Sequence, residues 1–191
     1  MATKSELTPT SETPRSEKFL GDLFNKTQEW LLTKKSGRVK AEFKEEEGKT
    51  WNFFDGRRKV HVAKGTFIDT AKGRFALVLG TMRQRVSDSD KFFTFRFGCY
   101  PKDSYDESDL TLNKLLDFTD QRPFSYGSGQ FFGASSYIRV DCWNDNSVYG
   151  GHELNSTLTQ NQLLSKKGLE ECSDLIRRIA RDGFLQFGKS L

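Results

Sequence analysis

The stretch Ala63–Gly80, AKGTFIDTAKGRFALVLG, spells Ala-Lys-Gly twice, at residues 63–65 and 71–73, and its reading decides the fold. A phosphate cradle needs several glycine amides converging at a helix N-terminus. Here each Ala-Lys-Gly is followed by a β-run instead, TFIDT in the first case and RFALVLG in the second. Both glycines therefore read as turns that bracket TFIDT, and the segment reads as strand, turn, strand. Lys64 and Lys72 are then point charges at the ends of a sheet.

The same punctuation continues on either side. Upstream, TWNFF, Asp55-Gly56 and RRKVHV combine an apolar run, a DG dipeptide and an alternating run, which spells a hairpin. Downstream, a polar turn at Ser87-Asp88-Ser89-Asp90 leads into KFFTFRFGCY, and SYIRVDCW closes the series before a turn-rich linker from Asn144 to Gly151. Strand-length apolar runs bounded by turn residues argue an antiparallel meander.

Helical periodicity flanks this series. Phe19, Leu20, Leu23, Phe24, Trp30 and Leu31 share one helical face, with Gly37 placed to cap it. Near the other end, Thr159 and Gln162 stand at capping-box spacing. Leu163, Leu164, Leu169, Cys172, Leu175, Ile176 and Ile179 follow as a stripe, with Gly168 positioned to kink it and Gly183 to stop it. The expected class is α+β: an antiparallel twisted sheet of about five to seven strands, with an N-terminal and a C-terminal helix packed on one face. The other face is left to solvent or to a partner. Residues 1–15, rich in Ser, Thr and Pro, read as a disordered tail, and 16–191 as a single domain with an acidic insertion at about 101–130. EFKEEEGK reads as a solvated charge run.

Composition narrows the function classes. The 191 residues are 35% apolar and 29% charged, yet 17 Phe, 5 Tyr and 3 Trp exclude a chain that is disordered throughout. Cys99, Cys142 and Cys172 form no CxxC and read as small buried hydrophobes in a reducing compartment. No apolar run approaches the roughly 18 residues of a membrane span, so the expectation is a soluble intracellular protein with no membrane partner. There is no Walker sequence, no GxSxG and no HExxH. GSGQFFG spaces its glycines as GxGxxxG rather than as a dinucleotide fingerprint, and His61 and His152 have no ligand or triad partner in sequence. No catalytic residue, metal ligand or cofactor is assigned.

Charge is more informative by position than in total. The net of +4 and pI near 8.9 are mild. Between Gly56 and Tyr100, however, ten basic residues face three acidic ones, a net of +7, while Pro101–Asp120 carries six acids against two lysines, a net of −4. The acidic segment reads as an intramolecular cover, a protein-binding loop or a solvated loop.

Alternation assigns the strand faces. Phe93, Phe95, Phe97 and Cys99 point one way, as do Phe75, Leu77 and Leu79, Ile138, Val140 and Cys142, and Val60 and Val62. The opposite face then collects Arg57, Lys59, Arg74, Arg96 and Arg139 among Phe92, Tyr100, Tyr137 and Trp143. Cations among exposed rings are what an unpaired nucleic-acid strand needs, because phosphates are neutralised while bases stack at roughly 1–3 kcal/mol each. The expected function is non-catalytic binding of single-stranded DNA or RNA. Arg57, Lys59, Lys72, Arg74, Arg96 and Arg139 are the expected phosphate contacts, and Phe92, Tyr100, Tyr137 and Trp143 the stacking platforms. The alternative is a structural, assembly or adaptor module, such as a virion component or a pleckstrin-like domain. It would use the same face for protein contacts, since aromatics with Arg also make interface hot spots.

The piece KGRFALVL, the sheet around it and the closing LTQNQLLSKKGLEECSDLIRRIA resemble the layout of Pur-alpha and whirly type single-stranded nucleic-acid-binding modules. The resemblance implies a curved antiparallel sheet followed by a helix, a sheet surface that binds single strands, and modules that pair or form homo-oligomers. Residue by residue it reaches only Lys72, Gly73 and Arg74, the basic start of that strand. The acidic insertion and the lack of a second copy are departures from it.

Overall fold

The computed structural model describes residues 15–44, 51–53, 58–83, 92–102, 105–120, 136–143, 147–150 and 165–185. The stretches 1–14, Asp55-Gly56, Arg57, Ser87–Asp90, the GSGQFFG loop, His152 and the Thr159/Gln162 pair lie outside them. The chain is α+β, built on an open antiparallel sheet. Helix α1 (Arg15–Leu32) is followed by strands β1 (Arg38–Lys44), β2 (Trp51–Phe53), β3 (Arg58–Asp69), β4 (Gly73–Arg83) and β5 (Phe92–Pro101). Then come α2 (Leu112–Asp120), β6 (Ser136–Trp143), β7 (Ser147–Gly150) and α3 (Lys166–Leu185). Backbone pairing runs β1-β3-β4-β5-β6-β7, and β2 pairs with the first residues of β3, Trp51 opposite Val60 and Phe53 opposite Arg58, as the DG hairpin requires.

The two Ala-Lys-Gly copies do different things. The second is the turn expected: Thr70 N donates to Gly73 O at 2.8 Å, and β3 passes directly into β4. The first is not a turn. It lies inside the unbroken strand β3, where the register with β4 slips between Val62 and Lys64 and Ala63 is the extra residue of a β-bulge. Because side chains alternate with period two, the bulge reverses the phase of everything before it.

Strand β1 is a strand the sequence reading missed, since VKAEF ran into a charge-rich segment. Its pairing with β3 brings Ala41 and Phe43 over Phe67, with the Phe43 and Phe67 rings 6.2 Å apart edge to face.

One core cluster joins Phe19, Leu20, Leu23, Phe24 and Leu31 of α1 and Cys172, Ile176 and Ala180 of α3 to Ile68, Phe75, Leu77, Phe95, Phe97 and Cys99 of the sheet. Helix α1 is long enough, at 18 residues, to lay five apolar positions at i, i+1, i+4, i+5 and i+12 along one stripe. The residue in the left-handed region beyond α1 is Ser36 (φ 61°) rather than Gly37. Helix α3 begins at Lys166, and Gly168 N donates to Ser165 Oγ at 3.3 Å, so Ser165 caps its first turn. Gly168 sits in that turn without breaking it, and the helix passes through Gly183 to Leu185. Burial pushes the Cys172 thiol up to about 12, which keeps it protonated and inert at neutral pH.

A cross-helix pair ties α1 to α3. Lys26 Nζ donates to Glu170 Oε1, which holds the Glu170 carboxyl below its usual 4.5. A carboxylate with a lowered folded value contributes stability in full above 4.5, and that contribution is lost as pH falls through the folded value. Glu170→Gln should therefore unfold at lower urea than wild type at neutral pH, with the two midpoints converging as pH falls below the folded-state value of Glu170. Midpoints that stay apart by the same amount at neutral and at low pH would count against the pair.

Candidate nucleic-acid interface

Cross-strand register shows which of the expected contacts share a face. Arg74 stands between Asp69 and Tyr100, Arg96 between Val78 and Arg139, Gly98 beside Tyr137, and Phe92 between Met82 and Trp143. Arg74, Arg96, Tyr100, Tyr137, Arg139, Phe92 and Trp143 thus occupy one face, as alternation along β4, β5 and β6 requires. Lys59 does not join them. The bulge at Ala63 places position 59 in register with Arg83, in the same phase as His61, Thr81 and Phe93, on the other side of the sheet. Arg57 lies outside the described residues, and Lys72 is exposed in the β3–β4 turn.

The larger correction concerns exposure. This face was expected to meet solvent or a partner, but across β3, β4 and β5 it lies under a second layer. Leu115 and Leu116 of α2, with Tyr105, Leu110 and Leu112 before and at its start, pack on Val62, Phe67, Ala76, Val78 and Tyr100. Arg74 is 0% exposed, Arg96 1% and Tyr100 6%. The acidic segment is therefore a cover, one of the three roles open to it. Its apolar minority does the packing: Leu112, Leu115 and Leu116 fall on one side of α2, while Thr111 caps the helix through Lys114 N at 3.2 Å. Sequence patterning held this information in LNKLLDF, but the net charge of the segment outweighed it.

Arg74 shows how the cover is held. Its Nε and Nη2 donate to Asp69 Oδ1 and Oδ2 at 2.7 and 3.0 Å, a bidentate pair within the β3–β4 hairpin. Its Nη1 and Nη2 also donate to the carbonyls of Asp106 and Glu107, each at 3.3 Å. The guanidinium lies 5.4 Å from the Phe67 ring centroid and 4.4 Å from that of Tyr105. Every direction of approach for a phosphate is occupied by protein, so Arg74 is a structural arginine in this fold. The backbone turn it grips is closed by Asp106, whose Oδ1 accepts from Ser108 N at 2.9 Å and Ser108 Oγ at 2.7 Å. Those bonds hold the Asp106 carboxyl below its usual 3.8.

Among the described residues no group of His, Cys, Asp and Glu is arranged to hold a metal ion, and no helix is long and apolar enough to cross a membrane. Cys99 and Cys172 are buried. The chain matches no family model, no curated protein and no solved structure.

Proposed function

We propose that the protein binds single-stranded nucleic acid, DNA or RNA, without catalysing a reaction on it. The observation that carries this reading is the placement of Tyr137, Arg139 and Trp143 at alternate positions of β6, in register with Gly98, Arg96 and Phe92 of β5. A cation set between rings along one face of a strand is the pattern that neutralises phosphates while unpaired bases stack. The set of contacts is narrower than the sequence suggested: Arg139, Tyr137 and Trp143 on β6, Phe92 at the start of β5 and Lys72 at the turn, with Arg74, Arg96 and Tyr100 buried within the protein. The reading takes the sheet at its full five to seven strands, with α1 and α3 on one face and the strand path on the other. The likeness of KGRFALVL and the closing helix to Pur-alpha and whirly modules belongs to the same proposal.

The test is a fluorescence-anisotropy titration of labelled single-stranded DNA and RNA across a salt series. Micromolar or tighter binding that weakens steeply with salt is expected. No binding to any single strand at low salt would sink the reading.

A second reading has its own support. The face already accepts an apolar helix side, that of α2, and the same chemistry suits a protein partner or a second copy of the chain. Light scattering separates the two: a salt-insensitive oligomer free of nucleic acid favours a protein interface.

A further inference from the structure

We infer that the phosphates of a single strand are gripped at one end of the sheet, by a cationic ridge built from three separate segments. Lys34, Lys35 and Arg38 come from the connection between α1 and β1 and the first residue of β1, Lys72 from the β3–β4 turn, and Lys102 from the residue after β5. The inference rests on the nucleic-acid reading above and moves its main electrostatic contact off the sheet face.

Backbone hydrogen bonds fasten the three segments to one another. Ala71 N donates to Lys35 O at 2.8 Å, Lys102 N to Lys72 O at 3.2 Å, and Gly37 N to Lys34 O at 2.8 Å. The register adds Arg38 opposite Asp69 and Gly73 opposite Pro101. Lys35, Arg38, Lys72 and Lys102 are exposed, and Lys34 is half-buried with its Nζ 4.8 Å from the Trp30 ring centroid. Among the described residues, none of these five cations pairs with a carboxylate. The one acid in the register at this end, Asp69, is already engaged by Arg74 and, at 3.9 Å, by Lys40.

The helix dipole accounts for part of the ridge, since Lys34 and Lys35 follow the C-terminus of α1, where positive charge is favoured. It does not account for Arg38 at the start of β1, Lys72 in the β3–β4 turn or Lys102 just beyond β5. Cations held side by side by folded backbone, without counter-charges, concentrate positive potential and release condensed counterions when a polyanion takes their place. Being fixed, they also lose less freedom on binding than lysines on a flexible tail. The choice of an unpaired strand over other polyanions comes from the apolar surface in the same segment: Leu32 and Val39, exposed at 39% and 37%, beside the half-buried Trp30 ring that packs on the core. Bases that are not paired need such surface beside their phosphates.

The test uses fluorescein-labelled oligothymidylate of about 20 nucleotides, the full chain, and two charge-matched triple variants. One is K35Q/K72Q/K102Q in the ridge. The other is R15Q/K18Q/K166Q, around the cleft between the N-termini of α1 and α3, roughly 27 Å away along α1. The ridge variant should bind at least tenfold more weakly at about 0.1 M salt, with its log–log salt slope smaller in magnitude by about 2, while the control shifts less than about twofold. All three ridge lysines are exposed, so an unchanged urea midpoint shows that the fold survives. If wild type binds and the two variants are weakened alike, or not at all, the ridge is overturned while the nucleic-acid reading stands. If wild type binds no single strand, both fall. If wild type instead binds vesicles containing phosphatidylserine, and the ridge variant loses that binding, the ridge is a lipid site and the inference is overturned.

Discussion

Arg74→Met is expected to destabilise the protein by about 3–5 kcal/mol, the usual consequence of stripping one partner from a buried ion pair. Arg74 is fully buried and Asp69 nearly so, and the two share a bidentate contact. Without the guanidinium, the Asp69 carboxylate keeps only Lys40 at 3.9 Å. The carbonyls of Asp106 and Glu107 lose their donors, and Tyr105 loses the cation beneath its ring. The effect should thus spread from the hairpin to the layer that covers it, with faster proteolysis in 105–120 as a second sign. Urea unfolding measures the first quantity, and a loss under about 1 kcal/mol would place Arg74 among ordinary surface pairs. Arg74→Met combined with Asp69→Leu should recover much of the stability, because a matched apolar pair leaves no buried charge behind. Affinity for single strands, counted per folded molecule, should not change. A residue that touched a phosphate would instead reduce the salt slope by about 0.7.

Gly80→Ala is the second large effect. Gly80 pairs with Val62 immediately beside the bulge. A Cβ added there would stand 2.2 Å from the His61 carbonyl oxygen and 3.1 Å from its carbon. Those atoms are backbone and cannot rotate aside, so the bulge or the β3–β4 ladder has to move, at about 1–3 kcal/mol or more. Two other glycines calibrate the result. At Gly65 the added carbon would meet only the end of the Leu115 side chain, at 2.5 Å, which can turn away at smaller cost. At Gly21, within α1, nothing lies within 4 Å, and alanine should stabilise by about 0.5–1 kcal/mol. A series ordered Gly21, Gly65, Gly80 by increasing loss in thermal or urea unfolding supports the bulge geometry. A neutral Gly80→Ala overturns it.

Alternation in RFALVLG and KFFTFRFGCY assigned the residues of β4 and β5 to the correct sides, and the stripes of α1 and α3 marked residues that fill the first core. These are local properties: period two and period 3.6 are set by the backbone of each element and survive any arrangement of the rest. Three things were decided only when the chain folded on itself. The phase of β3 depended on one extra residue, Ala63, which register with β4 reveals and composition does not. The burial of Arg74, Arg96 and Tyr100 depended on α2 crossing the face that looked free, a long-range docking driven by Leu115 and Leu116 inside an acidic segment. The basic ridge depended on hydrogen bonds between residues as far apart as Lys35 and Ala71. Patterning along a strand states which way a side chain points. What it meets there is settled by the free energy of packing elements distant in sequence, and that choice put Arg74 inside the protein and left Lys72, two residues earlier, in solvent.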